Sequence, residues 1–449
     1  FGGSSIEITA APVETQGDVA LLRLDFRSVE GAELPPLSAV LRGADGEAYE
    51  NGAFGLRLFD AEAKTVFPVL TDGEGTRLST AAEELGGGHT EVTTLSVHAA
   101  PEGDSIDVLI PSLGWLRDVP VVEAGTSFDT EVEDLGGTPE TAAAIPLRVY
   151  TEAYDEATAV KSEGESVTVT LASDVLFDTG QFTLSAAAAE KVDEAAANID
   201  NAEGGEVQVV GHTDDVDTPE SNQTLSENRA EAVAQRLSSA LGDDVTVVPS
   251  GKGETEPIAE GTTAEARAAN RRVEIVFTGF QDVESDKPEA TVPEAAEPVI
   301  AAGESAEYDA GNERYSLSVS SVVRTGASLV GSFELGLVEG TGTLLEAMGA
   351  FDRDSAMRRG FSQSASYVST MSVSLLTADG RLFPYDYETA GPAEGATRRT
   401  LGDEWLNDGV DEPGQKMSVT VVWPDTGQDT ITIEVPGRAR FVDVPVTDG

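Results

Sequence analysis

Apolar residues recur along this chain with two different periods, and the change of period divides it. Runs that alternate, among them Ile6-Ile8, Leu22-Leu24-Phe26, Val419-Val421 and Ile431-Ile433-Val435, are separated by Gly, Asp and Pro. A period of two marks strands with one buried face. In the middle the spacing becomes helical. Leu184, Ala188, Val192, Ala195 and Ile199 fall on one face behind Ser185 as a cap, and Leu225, Val233 and Leu237 share the face of a second helix. The order predicted there is strand 165–172, helix 186–199, strand 205–211, helix 223–241 capped by Ser221 or Asn222, strand 244–249, helix 263–269 and strand 271–278. Helices are expected to cover one face of the resulting sheet.

The strand-rich ends of the chain repeat each other. Residues 6–31 align without gaps to 315–340, with Gly17 over Gly326 and Val29-Glu30-Gly31 over Val338-Glu339-Gly340. KTVFPVL at 64–70 matches GRLFPYD at 380–386, and DSIDVLIP with DVP at 118–120 matches DTITIEVP with DVP at 443–445. The fold class expected is therefore multidomain α+β: a central βαβαβ(α)β module flanked by two duplicated all-β, immunoglobulin-like sandwiches. The boundaries expected are 1–130 for the first sandwich, 164–280 for the central module, 281–305 for a linker carrying Pro288, Pro293 and Pro298 among glutamates, and 306–449 for the second sandwich. Residues 123–145, acidic and rich in Gly and Thr, read as a second joint.

Arg229 interrupts the apolar stripe of the second helix. A guanidinium placed there does not shed its proton, so it needs carboxylate or carbonyl oxygens, which a ligand can supply. The strand before it, EVQVVGHTD, delivers Thr213 and Asp214 at its C-terminal end, the end at which open α/β sheets tend to bind. One anion beside one cation matches a zwitterion; the competing expectation is a structural Arg229–Asp214 bridge. Other conspicuous residues read blandly. His212 has no second histidine nearby and reads as a packed or solvated side chain. Asp214, Asp215, Asp217 and Glu220 lack the glycine and final glutamate of a calcium loop and read as a solvated face. Arg271-Arg272 reads as helix-to-strand punctuation, MRRG at 357–360 as a solvated basic spot, and Trp115, Trp405 and Trp423 as core.

Four blocks of this central region, taken together, resemble the OmpA-like peptidoglycan-binding domain family. They are DVLFDTGQFTLS with Phe177-Asp178 and Leu184-Ser185, GHTD, Asn222-x-x-Leu225-Ser226-x-x-Arg229-Ala230, and Asn270-Arg271-Arg272-Val273-Glu274-Ile275, in the family's order. The resemblance implies a noncovalent site for the diaminopimelate of the peptidoglycan stem peptide. Asp214 would hold its ammonium and Arg229 its carboxylate, with Asp178, Thr213 and Asn222 lining the pocket. It implies no catalytic residue, no metal and no cofactor. The alternative is a wall hydrolase that uses paired carboxylates such as Asp214 and Asp217.

Charge narrows the partners. With 81 acidic against 28 basic residues and a net charge of -53, the chain repels nucleic acid and anionic lipid. It has no cysteine, and no apolar run approaches the roughly 18 residues of a membrane span. Peptidoglycan is the expected partner, with envelope proteins as candidates for the sandwiches. The chain opens on Phe1 where an initiator methionine would stand, and Gly2-Gly3-Ser4-Ser5 resembles the tether of a lipoprotein. A lipid anchor upstream of Phe1 and an extracytoplasmic, cell-envelope location are the corresponding expectations.

Overall fold

The computed structural model describes residues 5–29, 31–41, 52–81, 84–139, 144–197, 205–241, 245–278, 292–341, 356, 358–361, 370–389, 397–403 and 412–449. It is mixed α/β and mostly strand. In the centre the sheet order is Thr158–Glu163, Ser166–Ala172, Arg272–Thr278, Gly205–His212, Val245–Gly253, and only the last pair is parallel. Helices Ala186–Ala197 and Pro219–Leu241 cover one face, where Ala188, Val192, Val233 and Leu237 meet Val169, Leu171, Val207, Val209, Val273 and Ile275. The short helix Ala264–Asn270 is capped by Thr263, whose Oγ1 accepts the Ala266 amide at 3.2 Å.

The long helix starts earlier than its apolar spacing indicates. Thr218, not Ser221 or Asn222, takes the free amides of the first turn: its Oγ1 accepts from Ser221 at 3.2 Å and its carbonyl from Asn222 at 2.9 Å. Pro219 fits the first turn because it has no amide to satisfy. Asn222 is thereby placed inside the helix, 2% exposed, with its side chain available for other work.

Residues 145–163 are built into two sheets at once. Ile145–Pro146 pairs with Thr65–Pro68, Arg148–Glu152 pairs with Gly380–Leu382, and Thr158–Glu163 extends the central sheet beside Ser166–Ala172. The alternation is hidden because the buried positions carry charge. Arg148 and Glu152 are 3% and 2% exposed, and Glu152 is held by Arg358 at 2.6 Å. MRRG is correspondingly not a solvated spot. Arg359 is 2% exposed, donates to the Met371 carbonyl at 2.7 Å, faces Asp386 at 3.3 Å and lies 4.4 Å from the Phe383 ring centre. The linker reading of 281–305 also changes: 281–291 lie outside the described residues, but Val299–Ala301 pairs with 440–442 and Ser305 opens a strand.

The two end regions share one plan. Leu21 pairs with Val97 as Val330 pairs with Val422, and the parallel contact Val13 to Val121 recurs as Val322 to Val446. Gly17 and Gly326 both turn a hairpin with positive φ, 62° and 48°. The Leu70 amide donates to Val97 O and the Leu78 amide to Leu70 O, just as Tyr385 donates to Val422 O and Leu401 to Tyr385 O. These matched faces are covered differently. Val330, Tyr385, Leu401 and Val422 are packed by Phe59, Val66 and Leu109 of the first lobe. Leu21, Leu70, Leu78 and Val97 are packed by Phe128 and Val132 from helix Phe128–Asp134, so the segment expected as a joint at 123–145 contains a docked helix. Trp423 is core, its indole donating to Val373 O at 2.7 Å. Trp115 is partly buried between the lobes, and Trp405 lies outside the described residues.

Candidate functional site

Two glycines bring the long helix onto the sheet. A Cβ on Gly211 would stand 2.2 Å from Ser226 O, and one on Gly251 would stand 2.4 Å from Ser226 Oγ. The same hydroxyl accepts the Gly253 amide at 2.9 Å. Arg229, one turn further along the helix, is thereby held at the rim of the strand that ends in Thr213 and Asp214.

Asp214 is largely covered, its side chain 14% exposed. One carboxylate oxygen accepts the Val216 amide at 3.3 Å, and the other accepts from Arg271 Nη1 at 2.7 Å. Asn222 Nδ2 donates to the Asp214 carbonyl at 3.2 Å and to Glu254 at 2.6 Å, which fixes the loop on the helix. Thr213 is 4% exposed and anchored by its amide to Gly253 O at 2.9 Å. Its hydroxyl has no hydrogen-bond partner among the described residues.

Arg229 is 4% exposed. Its Nε donates to the Gln181 carbonyl at 3.1 Å and its guanidinium lies 5.2 Å from the Phe177 ring centre. Among the described residues it makes no ion pair, and in particular none with Asp214. Burial lowers its pKa, with Asp174 and Asp214 opposing that effect; an arginine so placed stays charged. Asp178 is exposed. Its carbonyl accepts the Gln181 amide at 2.9 Å, a turn that presents the Gln181 carbonyl to Arg229.

Arg271 is the residue whose part in this site the sequence reading missed. It closes helix Ala264–Asn270 and spans two acids, binding Asp174 at 2.8 and 2.6 Å as well as Asp214. Its hydrogen bonds hold Asp174 below the usual carboxylate range. The acidic loop is used in the same way one residue on, where Arg267 Nε meets Asp215 at 2.6 Å. The arrangement is a rim with a covered anion, Asp214, and a covered cation, Arg229, each held by its own neighbours and not by the other. Such a pair can take a ligand that carries both charges.

A family model described as the OmpA family matches residues 176–271, the stretch that contains Phe177, Asp178, Thr213, Asp214, Asn222, Arg229 and Arg271. The central module is an OmpA-like domain. Over 119 residues the chain is 33% identical to the probable lipoprotein YiaD of Escherichia coli, covering 26% of this chain and 54% of that protein. Over 106 residues it is 38% identical to outer membrane protein A of Bordetella avium, covering 24% and 55%. The chain thus spans about half the length of these curated relatives. Among solved structures, the cell wall anchor of the T6SS from Pseudomonas aeruginosa is 31% identical over 28% of this chain and 90% of that one, with a TM-score of 0.26. With an OmpA-like domain and relatives of this kind, the protein is extracytoplasmic and belongs to the cell envelope.

Proposed function

We propose that this protein is a noncatalytic peptidoglycan anchor. Its OmpA-like domain, residues 164–280, holds the diaminopimelate of the stem peptide between Asp214 and Arg229, with Asp178, Thr213 and Asn222 around it. Its two end lobes, 1–130 and 306–449, are copies of an immunoglobulin-like sandwich that space the anchor or present it to other envelope proteins. The observation that carries the reading is Arg229: a covered guanidinium whose Nε is held by a backbone carbonyl and whose face is set on an aromatic ring, with no ion-pair partner among the described residues. A carboxylate from outside completes it. Arg271, tied to both Asp174 and Asp214, fixes the receiving oxygens of Asp214. Asp214 is already engaged by two donors, which favours recognition over acid catalysis paired with Asp217.

The test is co-sedimentation of the full chain with purified sacculi. Asp214→Ala and Arg229→Ala are expected to abolish sedimentation while the melting temperature moves little, and walls with lysine in place of diaminopimelate are expected to bind more weakly. Collapse of the fold in both variants would assign the two residues to structure. Release of soluble fragments from the sacculi would make the protein a hydrolase.

A further inference from the structure

Beside Arg229 runs a second feature that the zwitterion site does not use. Asn228, Glu231, Ala232 and Gln235 recur at helical spacing on the long helix and form one wall of an open groove of about 360 Å³, within the roughly 300–1,000 Å³ of small-ligand sites. The other wall is the loop Phe182, Thr183, Leu184. Phe182 is 46% exposed, an uncommon position for a phenyl ring, and it directly follows Gln181, whose carbonyl holds Arg229.

We propose that this groove is a carbohydrate subsite that receives a neutral amino-sugar ring against Phe182. An apolar ring face flanked by planar amides and a carboxylate suits a pyranose, whose C–H face packs on the aromatic and whose hydroxyls and acetamido group exchange hydrogen bonds with the rim. Asn228 and Gln235 supply donors and acceptors. Glu231 accepts from Gln235 Nε2 at 2.7 Å, which leaves the Gln235 carbonyl oxygen to receive a hydroxyl. The lining carries no cation and the chain carries a net charge of -53, which disfavours a phosphorylated or otherwise anionic polymer. Only the source of the sugar, the glycan strand to which a stem peptide is attached, rests on the wall-binding reading.

The experiment uses the full chain, amide NMR and two probes that separate the sites: chitotetraose, which has no peptide, and free diaminopimelate, which has no sugar. Chitotetraose is expected to produce saturable shifts at Phe182, Asn228 and Gln235. Phe182→Ala should weaken it about three- to tenfold without changing diaminopimelate binding, and Arg229→Ala should do the reverse. Because Phe182 is half exposed, its removal leaves the core intact. Absence of saturable shifts in the groove, or shifts indifferent to Phe182→Ala, overturns the proposal, as does tighter binding of an oligolysine at the same residues. Failure of diaminopimelate alone, with the chitotetraose shifts retained, removes the stem-peptide reading and leaves this one standing.

Discussion

Asp214 was legible as a strand-end acid and Arg229 as a cation on an apolar stripe, because both follow from spacing within their own elements. Arg271 was not, since nothing local shows that a side chain at a helix end reaches Asp174 and Asp214 across the sheet. Arg359 was misread for a related reason: of the three rings around it only Phe361 is near in sequence, while Tyr150 and Phe383 come from distant parts of the chain. Glu274 gives a pH-dependent check at this scale. Burial pushes its carboxyl up, but His212, 3.8 Å away, and Arg272, at 2.6 Å, outweigh that and bring it to about 2 from 4.5. A carboxyl with a depressed folded value stabilises the fold above its unfolded value and loses that contribution as pH falls toward the folded one. Between about pH 4.5 and 2 the wild type should therefore lose roughly 1–3 kcal/mol relative to Glu274→Gln. Parallel urea-unfolding curves for the two proteins across that interval would refute it.

Elements with an apolar buried face were read well, and elements with a charged one were not. Strand Arg148–Glu152 buries Arg148, Tyr150 and Glu152, so its alternation looks like a polar loop until Asp386 and Arg358 are seen opposite. The long helix was found from Leu225, Val233 and Leu237, yet its first turn, Pro219 to Asn222, carries none of the large apolar residues that define the pattern. The contact between this helix and the sheet depends on an absence of side chain. Gly211→Ala would drive a methyl group into the Ser226 carbonyl, and neither backbone can yield without moving the other. The variant is expected to lose about 1–3 kcal/mol and, because Arg229 rides one turn beyond Ser226, to lose sedimentation with sacculi as well. Unchanged wall binding in a folded Gly211→Ala protein would show that the site tolerates a shifted helix.

At the scale of the molecule the duplication was visible in sequence because matched glycines and DVP turns sit at matched backbone positions; Asp118 and Asp443 share φ near 50°, at 51° and 53°. How the copies meet was not visible, since their contact uses different faces of the same unit. The net charge of -53 bears on the whole chain: self-repulsion opposes compactness, and its range shrinks from about 10 Å at 0.1 M salt to about 3 Å at 1 M. The melting temperature is expected to rise by several degrees over that range in sodium chloride; a fall would mean that the arginine–carboxylate bridges outweigh repulsion. The stacking of the lobes has its own geometrical outcome. A contact between unlike faces of like units can propagate indefinitely, yet here both directions are stopped. Helix Phe128–Asp134 sits where a third unit would dock, and at the far end Glu434, locked to Arg381 and Arg440, stands where the first lobe offers Leu109. The two lobes thus meet through one such interface, with a docked helix over one free face and a buried carboxylate held by two arginines on the other.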